Sequence, residues 1–156
     1  MMALAASIVL AIAAWASYQM VLTARSDAMI DEAIAARDST QPVQVAAADA
    51  QAVSAALGTR VKLPDLAKAG YRLAQVAVLK EGRVHAVRID YRSQDNRLFT
   101  LYLKPSTGRE NFDLAKRGNL RICLWQDDVL ASVMLGEMSA GEMLRVASLA
   151  YNGLYF

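Results

Sequence analysis

Two neighbouring runs set the architecture: Val84-His85-Ala86-Val87-Arg88-Ile89-Asp90-Tyr91-Arg92 and Arg97-Leu98-Phe99-Thr100-Leu101-Tyr102-Leu103-Lys104. In the first, Val87, Ile89 and Tyr91 share one face of an extended strand, and Arg88, Asp90 and Arg92 share the other. His85 falls in register with the apolar set. In the second, Phe99, Leu101 and Leu103 alternate with Leu98, Thr100 and Tyr102, and Pro105 ends the run. Ser93 to Asn96 is a polar turn between them, so the two strands are antiparallel neighbours.

Further strands are read on either side. Arg72 to Leu79 precedes the pair, joined by the short Gly-containing connection Lys80-Glu81-Gly82-Arg83. Residues 106–118 read as a polar loop pinned by Phe112 and Leu114. Asn119 to Gln126 and Val129 to Gly136 complete a meander of five antiparallel strands, joined by Asp127-Asp128.

Helix signals bracket the sheet. Asp49 is placed to cap a helix over Ala50 to Leu57 that Gly58 ends. Asp65 is placed to cap a single turn, Leu66 to Ala69, that Gly70 ends. Ser139-Ala140-Gly141-Glu142 fits a capping box, with Met138 and Met143 at the staple positions. Met143, Val146, Ala147 and Ala150 then form a buried stripe. The expectation is an α+β domain over 49–156: a small antiparallel sheet of about five strands flanked by two helices. One packed face suffices for its core.

Composition adds an N-terminal element. The chain of 156 residues is 55% hydrophobic and 21% charged, with mean hydropathy +0.21. The excess sits in Met1 to Ala24, where 20 of 24 residues are apolar and none is charged. This excludes a disordered chain and a polytopic membrane protein. It predicts a transmembrane helix over 1–24, with Trp15 and Tyr18 toward its interface. A cleaved signal peptide is the rival, since Ala14-Trp15-Ala16 forms a passable cleavage site, but no basic region precedes it. Residues 25–48 read as a juxtamembrane helical stalk over 26–38, with Ile30, Ala33, Ile34 and Arg37 on one side, and then a linker containing Pro42.

Little in the chain carries chemistry. No phosphate loop, dinucleotide fingerprint, nucleophile elbow or zinc-helix motif is present. The expectation is no catalytic, cofactor-binding or metal residue, no cofactor, and no enzyme. His85 is a lone histidine of a strand. Cys123 alternates with Arg121 and Trp125 and reads as a packed thiol, with Arg121 as the one argument for reactivity. Asp127-Asp128 reads as turn chemistry. The segment 25–58 carries net charge −3 and 59–156 carries +5. The basic residues are scattered singly along strands, which argues against nucleic acid.

The segments themselves resemble a family. Leu63-Pro64-Asp65-Leu66-Ala67-Lys68-Ala69-Gly70-Tyr71-Arg72-Leu73 looks like the PDL-x-x-x-G-[FY]-x-L stretch of transmembrane anti-sigma factors, regulators of extracytoplasmic-function sigma factors. Gly82 to Val87, Leu98 to Pro105, Arg121 to Asp127, and Gly136 onward resemble its later segments in the same order. The resemblance covers 49–151. It implies a single-pass protein of the bacterial inner membrane with a periplasmic C-terminal domain, acting in transcription regulation and signal transduction.

Family members also carry a cytoplasmic sigma-binding domain, often with an H-x-x-x-C-x-x-C zinc motif. Neither His85 nor Cys123 belongs to such a motif. The chain therefore reads as the anchoring and sensing part. It would contact the lipid bilayer directly and the sigma factor only through an upstream domain. The alternative is a membrane-anchored accessory subunit of a larger envelope or respiratory complex.

Overall fold

The computed structural model describes residues 25–39, 44–45, 50–81 and 84–155. A helix over 25–38 (α1) is followed by β1 (Gln44–Val45) and α2 (Ala50–Leu57). A 3-10 turn at Ala67–Ala69 leads into β2 (Tyr71–Glu81), β3 (Val84–Ser93) and β4 (Leu98–Pro105). Then come β5 (Asn111–Arg117), β6 (Leu120–Gln126), β7 (Leu130–Gly136) and α3 (Ala140–Tyr155). All ladders are antiparallel, in the order β1-β2-β3-β4-β7-β6-β5.

Four expectations are corrected. The sheet has six long strands and the two-residue β1, not five strands. It is not a simple meander: β4 pairs with β7, and the chain reaches the far edge at β5 before returning through β6. The supposed loop over 106–118 holds β5, whose alternating Phe112, Leu114 and Lys116 follow strand periodicity. Among the described residues three helices, not two, pack on the sheet.

The helix over 25–38 is the cause of the last of these corrections. Ile30, Ala33 and Ala36 are buried against Tyr102, Ile122, Leu124, Val133 and Leu135. Lys104 Nζ meets Glu32 Oε2 at 2.6 Å, and Arg117 Nη2 meets Asp27 Oδ1 at 2.6 Å. A free stalk would make none of these contacts. The opposite face carries α2 and α3 over Val53, Leu57, Met143, Val146, Ala150 and the inward residues of β3, β4 and β7. The sheet is thus covered on both faces, which explains why β7 is buried at every position and why residues on both faces of β4 are buried.

Double coverage also buries charge. Arg88 and Asp90, expected on a polar face, lie under α1 at 5% and 8% exposure. Arg88 Nε is 3.1 Å from Asp90 Oδ2, Thr100 Oγ1 donates to Asp90 Oδ1 at 2.8 Å, and Arg88 Nη1 donates to the Ala36 carbonyl. These bonds offset the desolvation that burial imposes.

The membrane placement is corrected as well. Among the described residues no helix is long and apolar enough to cross a membrane. The span expected over 1–24, the cap at Asp49 and the linker proline Pro42 lie outside the described residues. The single-pass inner-membrane topology with a periplasmic domain therefore finds no support in the fold.

Local signals hold at the remaining joints. Asp65 Oδ1 accepts from the Ala67 N–H at 2.9 Å, and Gly70 adopts φ +83° where the turn ends. Ser139 Oγ accepts from the Glu142 N–H at 3.1 Å. The reciprocal half of the capping box is replaced: the Glu142 carboxylate reaches Arg97 Nη1 at 3.1 Å and accepts from Tyr71 at 3.4 Å.

Candidate functional site: the β5 edge and its aromatic groove

The β5–β6 hairpin turns through Gly118 and Asn119, with Gly118 at φ +57°. Its pairing places Phe112 opposite Trp125, Leu114 opposite Cys123 and Lys116 opposite Arg121. Cys123 belongs to the core beneath α3, so this alternate set faces α3. The other set, Asn111, Asp113, Ala115 and Arg117, faces α1, and Asn111 Nδ2 donates to Ser26 Oγ at 2.9 Å.

An aromatic chain bridges the sheet to α3. Phe112 meets Trp125 edge-on at 5.7 Å, Trp125 stacks on Tyr151 at 3.9 Å, and Tyr151 meets Tyr155 at 5.2 Å. Such pairs contribute beyond their buried area. Asp127 anchors the far end. Its Oδ1 accepts from the N–H groups of Val129 and Leu130, both at 2.8 Å, and its Oδ2 accepts from Tyr151 at 3.2 Å and Tyr155 at 2.8 Å. Partial burial works against the carboxylate, but the Leu130 N–H, the Tyr155 hydroxyl, the Val129 N–H and the Tyr151 hydroxyl together hold it below its ordinary range.

Between α3 and β5 lies a groove of about 620 Å³ lined by Phe112, Trp125, Leu144, Ala147 and Tyr151. Phe112 is 52% exposed, Leu114 44% and Leu144 42%. Three large apolar side chains on one small surface are the informative kind of exposure. A second cavity of about 590 Å³ lies between the start of α1 and the 106–110 loop, with the Lys104–Glu32 pair in its wall.

The residues singled out from sequence are dispersed. His85 is half-buried in β3 and Cys123 is fully buried in β6. Burial first, and then the Asp113 charge, push the Cys123 thiol up to about 11, so Arg121 does not activate it. Asp127 is engaged by its turn and two tyrosines, and Asp128 is an exposed neighbour. Among the described residues no cluster of His, Cys, Asp and Glu could hold a metal ion.

The site is not evident from sequence because the polar residues around Phe112 and Leu114 read as a loop. The usable signal was their two-residue spacing before the Gly118-Asn119 turn.

Compared with known proteins, the chain matches no family model, no curated protein and no solved structure. Nothing in those comparisons supports the expected anti-sigma, membrane or transcription terms.

Proposed function

We propose that the domain is a non-enzymatic, protein-binding regulatory module, the sensing part of a control system of the anti-sigma type. The observation that carries the binding role is the open β5 edge beside an apolar groove. The regulatory class rests on the ordered motifs, whose residues hold the joints of the fold. Tyr91 donates to the Pro64 carbonyl at 2.9 Å, Gly70 ends the turn, Trp125 stacks on Tyr151, and Ser139 caps α3.

A regulator of this kind works by linkage. A ligand shifts the domain only by its differential affinity for two states. The sigma factor itself would be contacted by another domain of the same regulator.

The test is affinity purification of the gene product, tagged at its own locus, with mass spectrometry of what accompanies it. Recovery of a sigma factor is the expected result. A stable stoichiometric complex lacking any sigma factor would replace this reading with that of an accessory subunit. Recovery of the protein alone would remove both.

A further inference from the structure

We infer that the β5 edge is the surface on which two copies of this chain join: β5 pairs with β5 of a second copy, antiparallel about a two-fold axis at Asp113, and the two sheets become one. The inference rests on reading this edge as the domain's binding face, and it names the partner.

Among the described residues β5 pairs only with β6, so this border of the sheet has no ladder partner. Such a border is a template for another strand. The order of side chains on the groove side selects the visitor. Glu110 directly precedes β5, is exposed, and lines the groove with Phe112; Leu114 and Lys116 continue the same alternation. Read in one direction this face runs acid, apolar, apolar, base. Read in the other it runs base, apolar, apolar, acid, so an antiparallel copy complements it at every position. Glu110 meets the partner's Lys116 and Phe112 meets the partner's Leu114, and the two-fold axis repeats both pairs.

Each pair satisfies something that a single chain leaves open. Phe112 and Leu114 are 52% and 44% exposed. Among the described residues neither the Glu110 nor the Lys116 side chain has an ion-pair or hydrogen-bond partner, and Lys116 lies opposite Arg121 in the β5–β6 ladder. Like charges directly opposite destabilise a ladder, and a carboxylate beside Lys116 offsets that.

Neighbouring registers lose the match. An axis at Leu114 sets Lys116 against Phe112, an axis at Phe112 sets Glu110 against Leu114, and an axis at Ala115 sets Lys116 against Leu114. The cost of the matched register falls on the α1 side. There Asp113 meets the partner's Asp113, both exposed to solvent that screens them. Beyond the overlap Arg117 faces the partner's Arg109, but Asp27 already holds Arg117 at 2.6 Å.

Sedimentation equilibrium of the full chain should show monomers in exchange with dimers. Lys116→Glu and Glu110→Lys should each raise the dimer Kd about tenfold, because both ion pairs become repulsive. An equimolar mixture of these two variants should associate as the wild type does. A mixed dimer restores opposite charges at both pairs, a rescue that loss of structure cannot produce. Asp113→Cys should form a disulfide across the axis under mild oxidation, where facing Cα atoms fall within disulfide reach, and Leu114→Cys should not. The native Cys123 is buried and does not compete. A monomer at every concentration, a dimer indifferent to both charge reversals, or crosslinking through Leu114→Cys in place of Asp113→Cys would each overturn the inference. Dimerisation without recovery of a sigma factor removes the regulatory class alone, whereas recovery of a sigma factor with a monomeric chain removes this inference alone.

Discussion

Arg88 donates to the carbonyl oxygen of Ala36, joining the middle of β3 to the last turn of α1. The acceptor belongs to the carbonyl end of the helix, where a cation is favoured by the helix dipole. Truncation by Arg88→Ala would leave Asp90 buried with only Thr100 as its neutral partner. The expected loss is about 3 kcal/mol in denaturant unfolding. Hydrogen exchange should rise first in residues 30–36, because α1 loses its tie to β3.

Tyr91 links β3 to the turn before β2 through the Pro64 carbonyl at 2.9 Å. Tyr91→Phe should cost about 1–2 kcal/mol, since the buried carbonyl loses its donor. Burial, with the Asp65 charge added, holds the Tyr91 phenol well above its ordinary value. The folded protein therefore favours the neutral phenol, and the unfolded chain ionises first. Stability from this group is complete below a pH of about 10 and declines above it. Alkaline denaturation monitored by circular dichroism should show a flatter decline in the phenylalanine variant.

Gly153 sits inside α3, where helix propensity alone would favour alanine by about 1 kcal/mol. A Cβ there would approach the Cα and Cβ of Pro64 to 2.9 Å. Pro64 cannot recede freely, because its carbonyl is held by Tyr91 and the Lys62 N–H donates to the Leu154 carbonyl at 3.0 Å. Overpacking of this kind costs about 1–3 kcal/mol and prevails over propensity. Gly153→Ala should lower the melting temperature, whereas Gly141→Ala, with open space around it, should not.

Asp127 contributes in the opposite pH range. Its folded carboxyl is held below the ordinary value by backbone and tyrosine donors, despite partial burial. Stability from this group is present above the unfolded carboxyl value and is lost as pH falls through the folded one. Asp127→Asn should reduce stability at neutral pH and flatten the acid side of the stability profile. Near-ultraviolet circular dichroism should report a disturbed Trp125–Tyr151 stack.

The legible parts of the fold were those with strong local signals. β3 and β4 showed clean alternation, Gly70 and Asp65 marked a turn, and Ser139 marked the start of α3. The α3 stripe Met143, Val146, Ala147 and Ala150 is buried as its spacing implied. Strand order was not legible, because nothing local states that Leu103 pairs with Ser132 rather than Leu103 with a strand formed just after it.

The role of α1 was hidden by composition. Its stripe is short and alanine-rich, and charged Glu32 and Asp27 reach over to Lys104 and Arg117 rather than to water alone. Apolar residues on both faces of β4 were the available sign that a second layer covers the sheet. The candidate site escaped for a related reason: an edge strand with charges reads as a loop, since Asp113, Lys116 and Arg117 are the residues by which edges are kept soluble.

The pairing of β4 with β7 has a consequence for synthesis. As the ribosome releases the chain, β2, β3 and β4 emerge as a hairpin sheet whose last strand is buried on both faces in the finished fold. Its free border stays unpaired until Leu130 to Gly136 have been made. Every nascent chain therefore passes through an interval in which that border is open to intermolecular pairing. The length of that interval is set by how quickly residues 106–136 are added and released, not by how stable the finished sheet is.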